Sequence, residues 1–233
     1  MPREWRCIPA GLSAADADRV RRDHPLWQAI IDLKHGKWKE TRLSWAASEG
    51  KLSRVRELCD WRAGVDEADK DGYTPLWGAS SYGHLVVVCE LHARGANIEA
   101  AMNDGATSLF VASRTGDVDV VRALLIAGAN VNVANNDCST PLSMASWQGH
   151  VEVVRELLDH GANVNAANDG GSTPLIVASY CGQVDVVRML LGAGANKRHV
   201  LINGTTATSL AGAADGVKPA AKAAVVALLA AAP

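Results

Sequence analysis

Cysteine, histidine and acidic side chains are the residues of this chain that could bind a metal or catalyse a reaction. No two cysteines lie within four residues of each other, which argues against a zinc site of the CxxC type. The five are Cys7, Cys59, Cys89, Cys138 and Cys181. Their odd number and wide spacing are typical of reduced thiols in a cytosolic or nuclear protein.

The histidines and the known catalytic motifs also argue against a metal site or an active site. Five of the seven histidines are scattered, namely His24, His35, His92, His160 and His199. The sequence contains no glycine-rich phosphate loop, no nucleophile elbow and no pair of catalytic carboxylates. We therefore predict a protein that is not an enzyme and that uses no metal and no cofactor.

Composition narrows the class of partner. The 233 residues carry a formal net charge of −2, which points to neither nucleic acid nor a membrane surface. The longest apolar run, residues 223–232, is too short and too rich in alanine to span a bilayer. Residues 1–23 lack the long apolar core of a secretory signal.

The chain has an internal repeat, which would position any functional side chain. Six threonines are spaced 33 residues apart: Thr41, Thr74, Thr107, Thr140, Thr173 and Thr206. Four of them lie in similar segments, GYTPLWGASSYGH, GATSLFVASRTGD, CSTPLSMASWQGH and GSTPLIVASYCGQ. A period of this length indicates a stack of identical structural units.

Each repeat is predicted to contain two short helices. Thr74 can cap the first helix, and Pro75 fits its first position because no N–H is needed there. The second helix has an apolar stripe and a charged face, as in residues 151–158, and a glycine such as Gly161 ends it. Neither helix can bury its stripe alone, so neighbouring repeats must stack.

This period and these motifs resemble the ankyrin repeat over roughly residues 38–233. The resemblance implies an all-α solenoid of helix-turn-helix repeats with β-turn or hairpin loops. It has about six repeats, including an atypical C-terminal cap. We expect residues 1–37 to be an N-terminal flank with a capping helix, residues 38–202 to be repeats 1 to 5, and residues 203–233 to be the C-terminal capping repeat.

The resemblance also gives several polar residues structural roles. His84 and His150 follow the motif glycine, where the family uses histidine structurally. Asn132 and Asn165 match the family's loop asparagines and are expected to brace the loop.

Both ends of the stack depart from the pattern. Residues 25–35 form an amphipathic pattern that predicts a helix, which either caps the stack or binds a partner. In the last repeat the apolar run 225–229 arrives about five residues late, which indicates an insertion near residues 216–219. The outer face of residues 220–232 should be mostly alanine, so the protein is either a monomer or self-associates weakly through this helix.

In ankyrin repeats, partners usually bind the turn tips and the inner face of the first helices. Carried over by position, the groove residues that we select are Glu49, Tyr82, Arg114, Trp147, Gln148 and Tyr180, and the tip residues are Lys70, Asp71, Tyr73, Asp104, Asp137 and Asp169. Tyr, Trp and Arg dominate interface hot spots. The alternative is that the aromatic residues pack on neighbouring repeats. Trp77 and Phe110 occupy a different, half-buried position, and core packing is favoured for them.

Two features of the turn tips lead to further predictions. The row Asp71, Asp104, Asp137 and Asp169 favours a partner with a basic edge, although aspartate also suits turns through its side-chain hydrogen bonds. Cys138 stands where the other repeats have glycine, so we expect it either to adopt a positive φ or to distort its turn.

The function that follows is a non-catalytic protein–protein interaction module, an adaptor, scaffold or inhibitor. The alternative is a regulatory fragment or subunit of a larger enzyme or effector whose catalytic part is absent from this chain. Only about 36 residues precede repeat 1, too few for a catalytic domain of their own.

Overall fold

A computed structural model describes residues 41–201 and 203–231. Twelve helices lie within these residues, two per repeat, and no strand does. The first helices of the six repeats are α1 (Arg42–Ser48), α3 (Pro75–Ser81), α5 (Ser108–Thr115), α7 (Pro141–Gln148), α9 (Pro174–Tyr180) and α11 (Ala207–Leu210). The second helices are α2 (Leu52–Asp60), α4 (Leu85–Ala93), α6 (Val118–Ile126), α8 (Val151–Asp159), α10 (Val184–Gly192) and α12 (Pro219–Ala231).

The repeated threonine begins every first helix. In repeat 2 the N–H of Trp77 donates to Thr74 Oγ1 at 3.2 Å, and the same bond recurs in all six repeats. Proline occupies the first turn of α3, α7 and α9. The predicted capping is confirmed, and each cap contributes about 1 kcal/mol to helix stability.

Two rows of leucine form the core. One row lies on the first helices, Leu43, Leu76, Leu109, Leu142 and Leu175, and the other on the second helices, Leu58, Leu91, Leu124, Leu157 and Leu190. All ten are at most 1% exposed. Each first helix packs on the first helix of the next repeat, so the core is continuous along the stack, as a solenoid requires.

The turns depend on a left-handed backbone at fixed positions. Glycine supplies it after the second helices of repeats 2 to 5, for example at Gly95 with φ +85°. In repeat 1 the same position is occupied by Arg62, with φ +61°. The sequence analysis missed this departure, although the 33-residue spacing from Arg62 to Gly95 would have revealed it.

The long loops are braced from one repeat to the next, as predicted. Asn132 Oδ1 accepts from the N–H of Asn163 at 2.8 Å, and Asn165 Oδ1 accepts from the N–H of Asn196 at 2.7 Å. Asp66 and Glu99 do the same in the two preceding loops, toward the N–H groups of Asn97 and Asn130. A carboxylate and an amide therefore serve equally well as the acceptor.

The last repeat is the least regular. Helix α11 has only four residues, and an irregular segment follows it up to α12. In α12 only Val225 and Leu229 are buried. Its exposed residues are Pro219, Ala220, Lys222, Ala223, Val226, Ala227, Ala230 and Ala231, so the expected alanine-rich outer face with few charges is confirmed. Self-association through this face stays a prediction.

The N-terminal helix predicted over residues 25–35, and with it the whole 1–37 flank, lies outside the described residues. The domain boundaries as a set therefore stay a prediction.

Candidate protein-binding surface

The C-terminal ends of the first helices, where the groove residues lie, are held by side chains of the following repeat. His84 Nε2 donates to the carbonyl of Ser48 at 2.8 Å, and His150 Nε2 donates to the carbonyl of Arg114 at 3.0 Å. Gln183 Nε2 donates to the carbonyl of Trp147 at 3.2 Å. The structural role predicted for both histidines is confirmed, and glutamine performs it one repeat later.

Four of the groove residues selected from the sequence have exposed side chains, which a partner could contact. Tyr82 is 63% exposed, Trp147 51% and Tyr180 37%. Arg114 is also exposed. Burial of large aromatic surface is a main source of affinity at protein interfaces, so the three exposed aromatic side chains are accessible to a partner that could cover them.

The structure does not bring these residues into one cavity. Tyr82 lines a mainly polar cavity of about 350 Å³ with Ser81, Thr115 and Asp117, at the ends of helices α3 and α5. Its ring also stacks on His84, with 6.4 Å between centroids. Tyr82 occupies the register of Gln148, one position later than Arg114, Trp147 and Tyr180. The selected groove residues therefore occupy the two neighbouring positions of each repeat from which they were chosen.

A second cavity, of about 370 Å³, lies between repeats 4 and 5. Trp147 and Gln148 form one wall, and Met144 and Val177 supply further apolar surface. Ser143 and three tip residues complete the lining, namely Ser139, Asn168 and Ser172. Its exposed surface is mainly apolar, and none of these eight lining residues is charged.

The corresponding space between repeats 1 and 2 is filled. Tyr73, in the register of Ser139 and Ser172, packs on Trp77 with 4.7 Å between ring centroids. Its hydroxyl is hydrogen-bonded to Ser48 Oγ at 3.0 Å. Trp77 is only 9% exposed and Phe110 only 6%, which confirms that both belong to the core. Tyr73, one of the predicted tip residues, is half-buried against the stack.

The acidic tip residues belong to successive repeats but not to a single register. The N–H of Asn136 donates to the carbonyl of Asp104 at 2.8 Å, and the N–H of Asp169 donates to that of Asp137 at 3.1 Å. Asp169 is therefore equivalent to Asn136 and lies one position before the equivalent of Asp137. The four carboxylates still belong to successive, hydrogen-bonded tips.

The side-chain contacts of these carboxylates show which of them stabilises a turn and which form an ion pair. Asp104 Oδ1 accepts from the N–H of Ala106 at 2.9 Å, which is the turn role that the sequence left open. Asp71 forms an ion pair with Lys70 at 3.2 Å. Among the residues that the structure describes, Asp137 and Asp169 form no ion pair. Glu49, at the start of the groove, pairs with Lys51 at 3.6 Å.

Cys138 confirms the expected left-handed backbone, with φ +58°. Its N–H donates to the carbonyl of Asn135 at 2.9 Å, the bond that Gly105 makes to Met102, so the turn itself is not distorted. A hydrogen bond from the thiol to Asp169 raises the pKa of Cys138, and the charges of Asp169 and Asp137 add to this effect. The thiol therefore stays protonated at neutral pH.

The fold and this surface define a repeat solenoid that presents a groove and a row of tips. The family model described as "Ankyrin repeats (3 copies)" matches residues 43–135 and 109–200, more than half of the chain. This chain belongs to the ankyrin-repeat family. Repeats of this family generally mediate protein–protein interaction, and their domains are typically non-catalytic.

No curated protein matches the chain significantly. Among the described residues, no helix combines the length and the apolar character needed to cross a membrane.

Proposed function

We propose that this chain is a non-catalytic interaction module, an adaptor, scaffold or inhibitor, that binds a partner protein or peptide through its concave groove and its turn tips. The observation that supports this best is Trp147. Its side chain is half exposed beside an open apolar cavity, although the leucine core of its own repeat is complete. A partner that covered this indole would gain apolar burial without any cost to the fold.

Affinity capture followed by mass spectrometry identifies candidate partners, and a binding titration then tests the assignment. Trp147→Ala should weaken binding of the captured partner by about tenfold to a hundredfold, since a central interface tryptophan contributes about 1.4–2.8 kcal/mol. Leu157→Ala is the matched control because it removes a fully buried side chain and should cost about 2–5 kcal/mol of stability. Full affinity in Trp147→Ala would contradict the proposal.

We further propose that the partner has a basic edge. The exposed carboxylates of Asp137 and Asp169 lack a cationic partner among the described residues, so they are available to a lysine or arginine of another protein. Charges at the rim of an interface act mainly on the association rate. The rate constant for association should therefore fall as ionic strength rises, and this dependence should weaken in Asp137→Asn. A rate constant independent of salt would contradict a basic edge.

We expect the protein to act in the cytosol or nucleus. The four cysteines within the described residues, Cys59, Cys89, Cys138 and Cys181, are free thiols, which suits a reducing compartment.

A further inference from the structure

The cavity between repeats 4 and 5 coincides with three differences between repeat 4 and repeat 2, and one of them, at Ser143, also separates repeat 4 from repeats 3 and 5. Where Ser143 stands, repeats 2, 3 and 5 have Trp77, Phe110 and Ile176, all at most 9% exposed. Two serines therefore replace the Tyr73–Trp77 pair of repeat 2, at the positions of Ser139 and Ser143. The third departure adds a wall: Trp147 replaces the small Ser81 of repeat 2.

The chemistry of the cavity favours an uncharged apolar occupant. Met144, Trp147 and Val177 provide its apolar surface, and no lining residue could neutralise a buried charge. The Ser143 hydroxyl already lies 3.2 Å from Thr140 Oγ1. The volume of about 370 Å³ lies at the lower end of the range for ligand pockets, which is about 300–1,000 Å³, and suits one or two side chains.

The rim adds a charge requirement. Asp137 lies two residues before Ser139, and Asp169 directly follows Asn168, so both aspartates belong to the two tips that supply lining residues of the cavity. The two tips are joined by the bond from Asp169 N–H to the Asp137 carbonyl. Both aspartates are exposed, so their carboxylates are accessible to a basic group of a partner.

We propose that this cavity is the anchor site of the groove, and that it binds an apolar side chain of an extended partner segment whose adjacent lysine or arginine contacts Asp137 and Asp169. The inference rests on the proposed binding function and adds the chemistry of the partner segment. A segment with an apolar residue next to a basic one satisfies both the uncharged cavity and its anionic rim. An acidic or wholly polar segment satisfies neither.

The test uses a library of random 12-residue peptides displayed on phage, selected on the full chain. Selected peptides are labelled, and their affinities are measured by fluorescence polarisation against wild type and variants. The expected consensus is an apolar residue beside Lys or Arg. Ser143→Trp, which introduces the residue of repeat 2, should weaken binding at least about tenfold. Asp137→Asn and Asp169→Asn should each weaken it about twofold to fivefold, since exposed ion pairs are weak.

Two further variants keep the result interpretable. Ser172→Tyr fills the cavity from the half-buried tip side, as Tyr73 does between repeats 1 and 2, and it should weaken binding as Ser143→Trp does, which keeps the test decisive if Ser143→Trp disturbs folding. Ser53→Tyr adds the same ring to the exposed surface of helix α2 and should leave affinity unchanged. Circular dichroism verifies the fold of each variant.

The outcomes separate this proposal from the function on which it rests. Peptides that lose affinity in Arg114→Ala or Tyr82→Ala but keep it in both cavity-filling variants would overturn the anchor site and leave groove binding intact. A consensus without an apolar residue, or with an acidic neighbour, would also overturn the anchor site. Peptides that ignore every groove and tip variant, or a selection that enriches none, would overturn both.

Discussion

Repeats 2 and 4 have the same backbone and differ in what fills the space beside their first helices. In repeat 2, Tyr73 and Trp77 close this space by packing ring on ring. In repeat 4 two serines leave it open, and Trp147 stands at its edge with half of its surface exposed. A tryptophan therefore belongs to the core in one repeat and to the surface in another, and its position within the 33-residue repeat determines which.

The comparison also indicates which side chains can change without loss of the stack. The two leucine rows are complete in both repeats, although repeat 2 has a buried Trp77 beside them where repeat 4 has Ser143. Replacement of the residues around the first helix changes the groove without changing the stack. Function in this chain is accordingly expected where a repeat departs from its neighbours.

The strongest test of the comparison is to truncate the two tryptophans in turn. Trp77→Ala should lower the free energy of unfolding by about 3–5 kcal/mol, because the side chain is almost fully buried. Trp147→Ala should change it by less than about 0.5 kcal/mol, as is usual for surface positions. Urea denaturation followed by circular dichroism measures both.

Trp77→Phe sharpens this result. The Nε1 atom of Trp77 is buried and has no hydrogen-bond partner within the described part of the chain, so its removal should offset part of the lost packing. Trp77→Phe should therefore be clearly less destabilising than Trp77→Ala. Equal losses for Trp77→Ala and Trp147→Ala would refute the contrast between the two repeats.

The limits of sequence-based prediction follow the same contrast. The period, the threonine caps and the loop asparagines are local patterns that repeat, and the structure confirms them. The cavity was missed, because it arises from two small residues of repeat 4 acting with Trp147 of the same repeat and with residues of repeat 5 such as Val177. The positions of Ser139 and Ser143 against Tyr73 and Trp77 could have indicated it. Asp169 stands one position before the register of Asp137, because repeat 5 has its acidic tip residue one position earlier.

The tips of the two repeats differ as well, and this difference predicts a smaller effect on stability. Gly72 adopts φ +86° in repeat 2, whereas Cys138 adopts φ +58° in repeat 4. A side chain in this region costs about 1–2 kcal/mol, and glycine loses about 0.5–1 kcal/mol more backbone entropy on folding. Cys138→Gly should therefore stabilise the protein by up to about 1 kcal/mol.

Thermal unfolding of Cys138→Gly measures this gain as a higher Tm. Cys138→Ser is the control, because it keeps the side chain and the backbone strain. A Tm for Cys138→Gly at or below that of wild type would mean that the turn tolerates the side chain without strain.

The smallest expected effect concerns the reactivity of the Cys138 thiol. The thiolate is the species that iodoacetamide alkylates, so the rate at a given pH depends on the pKa of the thiol. In wild type this pKa is raised, first by the hydrogen bond to Asp169 and then by its charge. Asp169→Asn removes the negative charge and the preference for a protonated donor, so the pKa should fall and alkylation near neutral pH should become faster. The rate is followed by mass spectrometry of the peptide that contains Cys138, across a range of pH.

Asp104→Asn is the matched control, because it removes a tip carboxylate whose side chain bonds to the N–H of Ala106 within its own turn. If Asp169→Asn and Asp104→Asn gave the same pH–rate curve as wild type, the carboxylate at the rim of repeat 4 would not control this thiol.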